Sequence, residues 1–228
     1  RGARRARRAA GAAFAGFART AGVSAAVVAR AACVVIFVLL AITGYEHQAF
    51  IGAGFIPGRF GSELIAPPGT MLPFALTPLS SAFLHGGVMH LVFNMIMLIF
   101  IGRQLEAPLG SSATAFLLVA GAYAGALAQW AADPGSLVVV IGASGAISAL
   151  VAVYALIFSR TRTAAIGPIP GHWVRALWLA AAWIGLQLLI GFAGGAGLGN
   201  IAIWAHVGGF IAGLLLARPL LRWRFKGK

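Results

Sequence analysis

Ser144 and His206 are polar residues within long apolar stretches of the sequence, and together they could do chemistry. Ser144 belongs to the tetrapeptide Gly-Ala-Ser-Gly at residues 142–145. A serine hydroxyl beside a histidine imidazole is the arrangement that nucleophilic catalysis needs, because the imidazole takes the hydroxyl proton. A serine at the start of a helix can equally be a cap that accepts a hydrogen bond from a backbone N–H. Taken alone, Ser144 fits either interpretation.

A second pair of polar residues, His90 and Asn94, lies in an earlier apolar stretch. Their spacing of four places them on one helix face, where both side chains could donate hydrogen bonds to one point. His85, five residues before His90, is expected on another face. Polar groups inside a membrane are costly and tend to mark function. The alternative is that these residues form hydrogen bonds between helices and take no part in catalysis. The residue types and their spacing fit both interpretations.

Small residues accompany both members of the Ser144 and His206 pair. On a helical wheel, His206 shares a face with Gly209 and Gly213, and Ser144 shares one with Ser148. Small residues allow helices to approach closely in lipid. Docking of these two faces would bring the serine and the histidine within hydrogen-bond distance.

Other hydrolytic chemistries and metal sites fit the sequence less well. Asp133 is the only aspartate, which excludes an aspartyl dyad, and the glutamates have no histidine at metal-ligand spacing. Cys33 is the only cysteine, which excludes an intrachain disulfide and a cysteine metal site. Zinc held by three histidines is the remaining metal alternative, and it is disfavoured because those histidines lie on different faces. We expect no metal and no cofactor.

The composition is that of an integral membrane protein. The 228 residues are 61% hydrophobic and 9% charged, with a mean hydropathy of +0.94, whereas charged residues make up about a quarter of soluble domains. A net charge of +13 could suggest nucleic acid as a partner. The basic residues instead flank the apolar stretches, as the positive-inside rule describes, so no nucleic-acid partner is expected.

Six apolar segments approach the length of about 20 residues that a helix needs to cross a bilayer. Their continuous apolar character favours helices over a barrel. The sequence therefore predicts an all-α bundle of six transmembrane helices over residues 23–217. The predicted spans are Val23–Thr43, Phe83–Ile101, Ala113–Ala131, Gly142–Phe158, Val174–Phe192 and Ile201–Ala217.

The distribution of basic residues predicts the orientation. An even number of spans puts both termini on one side, and all of the 17 Lys and Arg residues except Arg59 then lie on that side. We therefore expect a cytoplasmic basic segment at residues 1–22 and a cytoplasmic basic tail at 218–228. A bacterial plasma membrane is the expected location. The Arg- and Ala-rich start, which has no acidic residue, also fits an organelle transit peptide, so a mitochondrial inner membrane is the alternative.

Four motifs in order along the chain resemble those of the rhomboid intramembrane serine proteases, over nearly all six predicted spans. Each motif is modest alone, but the combination and its placement on the spans are highly specific. The motifs are His85-Gly-Gly-Val-Met-His90-Leu-Val-Phe-Asn94, Gly102-Arg-Gln-Leu-Glu106 followed by Gly110-Ser111, Gly142-Ala-Ser144-Gly145, and Ala205-His206-Val-Gly-Gly209.

The resemblance implies a Ser-His dyad that cleaves membrane-anchored proteins in or near their transmembrane segments. It implies Ser144 as nucleophile and His206 as general base. The oxyanion hole would comprise the His90 and Asn94 side chains with the Ser144 backbone N–H, and Gly145 and Gly209 would be close-packing positions between spans four and six. Single-pass membrane proteins are the implied substrates, and the lipid bilayer is the surrounding phase.

Two positions depart from the resemblance. Leu76 and Thr77 replace a Trp-Arg pair found in many rhomboids, so the first loop is expected to be anchored differently. Ser148 stands where several bacterial members have a tyrosine that stacks on the catalytic histidine, so no partner that orients His206 is evident.

Two functions remain as alternatives to an active protease. One is a non-catalytic rhomboid-like protein that binds transmembrane helices for quality control or trafficking, although such relatives usually lack the dyad. The other is a small transporter or proton path, which is disfavoured because paired carboxylates and half-symmetry are absent from the sequence.

Overall fold

The computed structural model describes residues 23–60, 71–158, 163–193 and 202–225. Within these ranges the chain is helical, with isolated bridges but no strand, as the all-α prediction requires. The predicted N-terminal segment at residues 1–22 lies outside the described residues. The six long helices are α1 (Ala25–Thr43), α2 (Val88–Leu109), α3 (Ser111–Ala132), α4 (Ser144–Ile157), α5 (Gly171–Ala193) and α6 (Ile203–Phe225).

Four of these helices, α1, α2, α3 and α6, are long and apolar enough to cross a membrane. The chain is therefore an integral membrane protein. α4 has 14 residues, and the apolar part of α5 covers only Trp173–Leu186. Of the six predicted spans, four thus correspond to helices with the length and composition needed to cross a membrane. α6 continues to Phe225, through most of the stretch predicted as a basic tail.

α4 lies at the centre of the bundle. Nearly all of its residues are buried, because it is built from small and apolar residues that α3 and α6 can approach on either side. A Cβ at Gly209 of α6 would overlap the carbonyl oxygen of Gly145, and one at Gly213 would overlap that of Ala149. The absence of side chains on α6 at these positions therefore sets the distance between α4 and α6.

The turn between α2 and α3 holds the start of α1. The backbone N–H of Ala25 donates to Ser111 Oγ at 2.7 Å, and that of Ala26 donates to Glu106 Oε1 at 2.9 Å. These N–H groups belong to the helix end that lacks internal partners. A carboxylate there is also favoured by the helix dipole, so two residues of the Gly-Arg-Gln-Leu-Glu and Gly-Ser motifs fasten α1 to the bundle.

The connection between α1 and α2 contains short helices and is anchored to α3. Its described part includes Glu46–Ala53, Thr77–Ser80 and the 3₁₀ turn Ser81–Phe83. Tyr123 Oη on α3 donates to the Ala75 carbonyl oxygen at 2.9 Å. An aromatic cluster strengthens this attachment, with ring centroids 5.0–5.3 Å apart, and comprises Phe55, Phe60, Phe74 and Trp130.

Thr77, which with Leu76 replaces the Trp-Arg pair discussed above, is fully buried. Its hydroxyl donates to the Phe74 carbonyl oxygen at 2.7 Å. The loop is held by this local bond together with the aromatic cluster.

Candidate active site

Ser144 is the first residue of α4, and a glycine turn leads into it. Gly142 has φ of 113°, a conformation that side chains disfavour. Its N–H donates to the Ser81 carbonyl oxygen at 2.9 Å. A Cβ at Gly142 would also lie 2.5 Å from His90 Nε2. Glycine is therefore needed both for the turn and for the approach of the imidazole.

The hydroxyl of Ser144 is hydrogen-bonded to the imidazole of His206. Ser144 Oγ lies 2.8 Å from His206 Nε2, although 62 positions separate the residues in the chain. Both residues are buried, with exposed fractions of 7% and 4%. The close contact of Gly209 with the α4 backbone brings α6 near enough for this bond.

The second ring nitrogen of His206 has no partner in the described part of the chain. Nδ1 is buried there without a hydrogen bond. For Nε2 to accept the serine proton, the neutral ring must carry its own proton on Nδ1. The described residues therefore form a dyad in which no carboxylate holds the histidine.

A residue of α3 hydrogen-bonds to the start of α6, close to His206. Gln129 Oε1 accepts a hydrogen bond from the backbone N–H of Ala205, next to His206, at 3.3 Å. Gln129 was not among the site residues predicted from the sequence. Its position near the end of an apolar segment was the available signal.

A cavity of about 720 Å³ adjoins the dyad. Ser144, His206 and His90 line it, together with polar side chains from the end of α3 and the following connection, namely Gln129, Asp133 and Ser136. The dyad is thus buried among helices and yet faces a space whose walls are partly polar. This volume is large enough to hold several water molecules.

His90 and Asn94 differ in their relation to this cavity. His90 lines it and packs against Gly142. Asn94 is buried, its Nδ2 donates to the His90 carbonyl oxygen at 2.9 Å, and its Oδ1 lacks a partner among the described residues. His85 packs edge to face on His90, with ring centroids 5.1 Å apart. The structure therefore brings His90, but not the Asn94 amide, to the cavity beside Ser144.

Comparison with known protein families matches residues 75–223 to the rhomboid domain. The chain belongs to the rhomboid family. Two similar curated proteins come from Arabidopsis thaliana. RHOMBOID-like protein 5 is 32% identical over 149 residues, which cover 63% of this chain and 43% of that protein. RHOMBOID-like protein 4 is 30% identical over 144 residues, which cover 63% of this chain and 33% of that protein. The rhomboid described here thus spans less than half the length of either relative.

In this rhomboid Ser148 hydrogen-bonds to α5. Its hydroxyl lies 2.6 Å from Trp183 Nε1 and 2.7 Å from the Ser144 carbonyl oxygen. The sequence placed Ser148 on the same face as Ser144 and marked it as a departure from a stacking tyrosine, and it did not single out Trp183. No periodicity within α4 or α5 could have paired them, because the contact depends on how the helices pack.

The described ranges hold no group of three His, Cys, Asp or Glu side chains placed to bind a metal ion. The polar side chains nearest the dyad are hydrogen-bond donors and acceptors, and the arrangement can transfer a proton between a hydroxyl and an imidazole.

Proposed function

We propose that this rhomboid is an intramembrane serine endopeptidase that cleaves membrane-anchored proteins in or near their transmembrane segments. The observation that carries the proposal is the 2.8 Å hydrogen bond between Ser144 Oγ and His206 Nε2 beside a cavity with partly polar walls. A buried serine and histidine in this geometry are the parts that acyl transfer requires.

The reaction proceeds through an acyl-enzyme. Ser144 Oγ attacks the scissile carbonyl carbon and passes its proton to His206 Nε2. The tetrahedral intermediate collapses, the C–N bond breaks, and His206 returns the proton to the departing amine. A water molecule then repeats these steps on the ester, with His206 again as base, which releases the carboxylic acid and restores the serine hydroxyl.

The negative charge that forms on the carbonyl oxygen needs hydrogen-bond donors. The Ser144 N–H belongs to the first turn of α4, where backbone donors have no partner within the helix and the helix dipole favours an anion. His90, which lines the cavity, supplies a second donor. Asn94 supplies a third only after its amide turns away from the His90 carbonyl oxygen. Each such donor contributes about 3 kcal/mol in well-studied hydrolases.

The substrates are single-pass membrane proteins. A peptide bond inside a helix is shielded by its own hydrogen bonds, so the substrate must unwind before Ser144 can reach it. We expect small residues before the cleaved bond and helix-destabilising residues near it, as the family resemblance implies.

The topology proposed with this activity has six spans and cytoplasmic termini. In it, the cavity opens on the side opposite the basic ends of the chain. The short helix α4 then lies inside the bundle, where protein rather than lipid surrounds it. The membrane is a bacterial plasma membrane or, alternatively, a mitochondrial inner membrane.

Labelling with a fluorophosphonate tests the activity, because this reagent bonds covalently to an activated serine. The detergent-solubilised wild type is expected to be labelled, and Ser144→Ala and His206→Ala are expected to lose the label. Ser112→Ala, at an exposed serine of α3, is the matched control and should keep it. Cleavage of a transmembrane reporter should follow the same order.

Two results would refute the proposal. Equal labelling of Ser144→Ala and wild type would mean that another residue reacts. Absence of labelling and of reporter cleavage in folded wild type would favour the non-catalytic alternative, a protein that binds transmembrane helices.

A further inference from the structure

A hydrogen-bonded chain connects α5 to the first turn of α4. The indole of Trp183 and the hydroxyl of Ser148 are 2.6 Å apart, and that hydroxyl is 2.7 Å from the Ser144 carbonyl oxygen. Ser148 is fully buried and Trp183 is 5% exposed. Neither side chain lines the described cavity, so neither contacts a substrate bound there.

The direction of both hydrogen bonds follows from the groups involved. An indole N–H is only a donor, so the Ser148 oxygen accepts from Trp183. The single hydroxyl hydrogen of Ser148 is then left for the Ser144 carbonyl oxygen. The hydrogen bonds therefore run in one direction, from Trp183 through Ser148 to the Ser144 carbonyl oxygen, and each of these buried polar groups has a partner.

The Ser144 carbonyl oxygen is consequently linked to Trp183 on α5 through Ser148, a residue of its own helix. In a regular helix it accepts the N–H four residues later, and the Ser148 hydroxyl adds a second bond. The neighbouring carbonyl, that of Gly145, is in contact with Gly209 of α6. The turn that carries the nucleophile is therefore bounded by α5 on one side and α6 on the other.

We infer that Trp183 and Ser148 are positioning residues that hold the Ser144 backbone so that its hydroxyl meets His206 and its N–H faces the reacting carbonyl. This inference rests on the proposed protease function. It gives a role to the hydroxyl of Ser148, which is fully buried beside the site. In this chain the nucleophile is secured through its own carbonyl group, while Nδ1 of His206 has no partner among the described residues.

Rate constants for fluorophosphonate labelling of Trp183→Phe, Ser148→Ala and the double variant test the inference. Trp183→Phe removes one of the two hydrogen bonds and Ser148→Ala removes both, and each substitution is expected to slow labelling about 3- to 10-fold. The double variant should be no slower than the slower single variant, because either change already breaks the connection. For a cleaved reporter, kcat should fall by the same factor while KM stays unchanged.

Trp178→Phe is the matched control, since Trp178 lies on the same helix and is 70% exposed. It should label at the wild-type rate. All rates are compared per folded protein, with folding monitored by thermal unfolding, so a loss of stability alone does not alter them.

Three outcomes overturn the inference. If wild type is labelled and both single variants react within twofold of it, or if their effects multiply in the double variant, the positioning role is wrong and the protease function stands. If Trp183→Phe does not fold, Ser148→Ala decides alone, because it removes only one oxygen atom. If wild type itself is not labelled, the proposed function fails and this inference fails with it.

Discussion

Gly142 determines how the chain enters α4 at Ser144, two residues later. Its φ of 113° turns the chain into α4, and its lack of a side chain leaves room for the His90 imidazole. The start of α4 at Ser144, the place of the His90 imidazole and the turn between them therefore depend on one residue that has no side chain. This explains in physical terms why Ser144 is preceded by a glycine two positions earlier.

Substitution Gly142→Ala is expected to slow fluorophosphonate labelling by more than about 10-fold, because the strained backbone costs about 1–3 kcal/mol and the new methyl group displaces His90. The measurement is the labelling rate constant of the folded protein. Gly135→Ala, in the same connection but with open space around its Cα, should leave the rate unchanged. Equal rates for both variants would mean that His90 and the turn do not matter to the serine.

Among the helices, the packing of α6 on α4 creates the dyad. A residue on each helix supplies one half of the Ser144 and His206 pair, so their distance is set by how closely the two helices approach. That approach is limited by Gly209, which touches the α4 backbone at the Gly145 carbonyl oxygen. The same contact adds dispersion energy along the centre of the bundle.

Substitution Gly209→Ala is expected to push α6 away from α4, which lengthens the bond between Ser144 and His206. Labelling should be lost, and the midpoint of thermal unfolding should fall, since overpacking costs about 1–3 kcal/mol. Gly185→Ala on α5 is the control, because open space surrounds that glycine. There alanine should raise or preserve stability. A Gly209→Ala variant that labels like wild type would contradict the packing argument.

The whole molecule places a cavity with partly polar walls inside an apolar bundle. The surface of the helices carries many exposed large hydrophobic residues, among them Val35, Ile42, Trp178 and Leu215, as expected where lipid is the solvent. The proposed orientation puts the basic ends of the chain on one side and the mouth of the cavity on the other.

The orientation predicts that Tyr45 and Arg103 lie on opposite sides of the membrane. Both are exposed, and the single native cysteine, Cys33, is buried with 1% exposure. Tyr45→Cys in sealed cells or right-side-out vesicles should therefore react with a membrane-impermeant maleimide, whereas Arg103→Cys should react only after the membrane is opened. Reaction of both without permeabilisation would refute the topology.

Much of the fold was accessible from local pattern. Continuous apolar stretches predicted the helices, and an all-α protein of the rhomboid family is confirmed. The ends of the helices were less predictable. The second predicted span began at Phe83, whereas α2 begins at Val88, and α6 extends beyond Ala217 to Phe225. Hydropathy reports where lipid would accept a residue, while hydrogen bonding decides where a helix stops.

The sequence by itself determined that the chain is an integral membrane protein, that it is helical, and that Ser144 and His206 are candidates for one site. These properties follow from composition, from apolar run length and from residue type. Only the tertiary structure decided that Ser144 lies 2.8 Å from His206, that the Asn94 amide bonds to its own helix, and that Trp183 reaches Ser148. Two of those contacts join residues on different helices, and the third depends on the side-chain conformation of Asn94. How the helices pack, and which conformation each side chain adopts, depends on side-chain volumes across the whole bundle. The spacing of residues along the sequence does not contain that information.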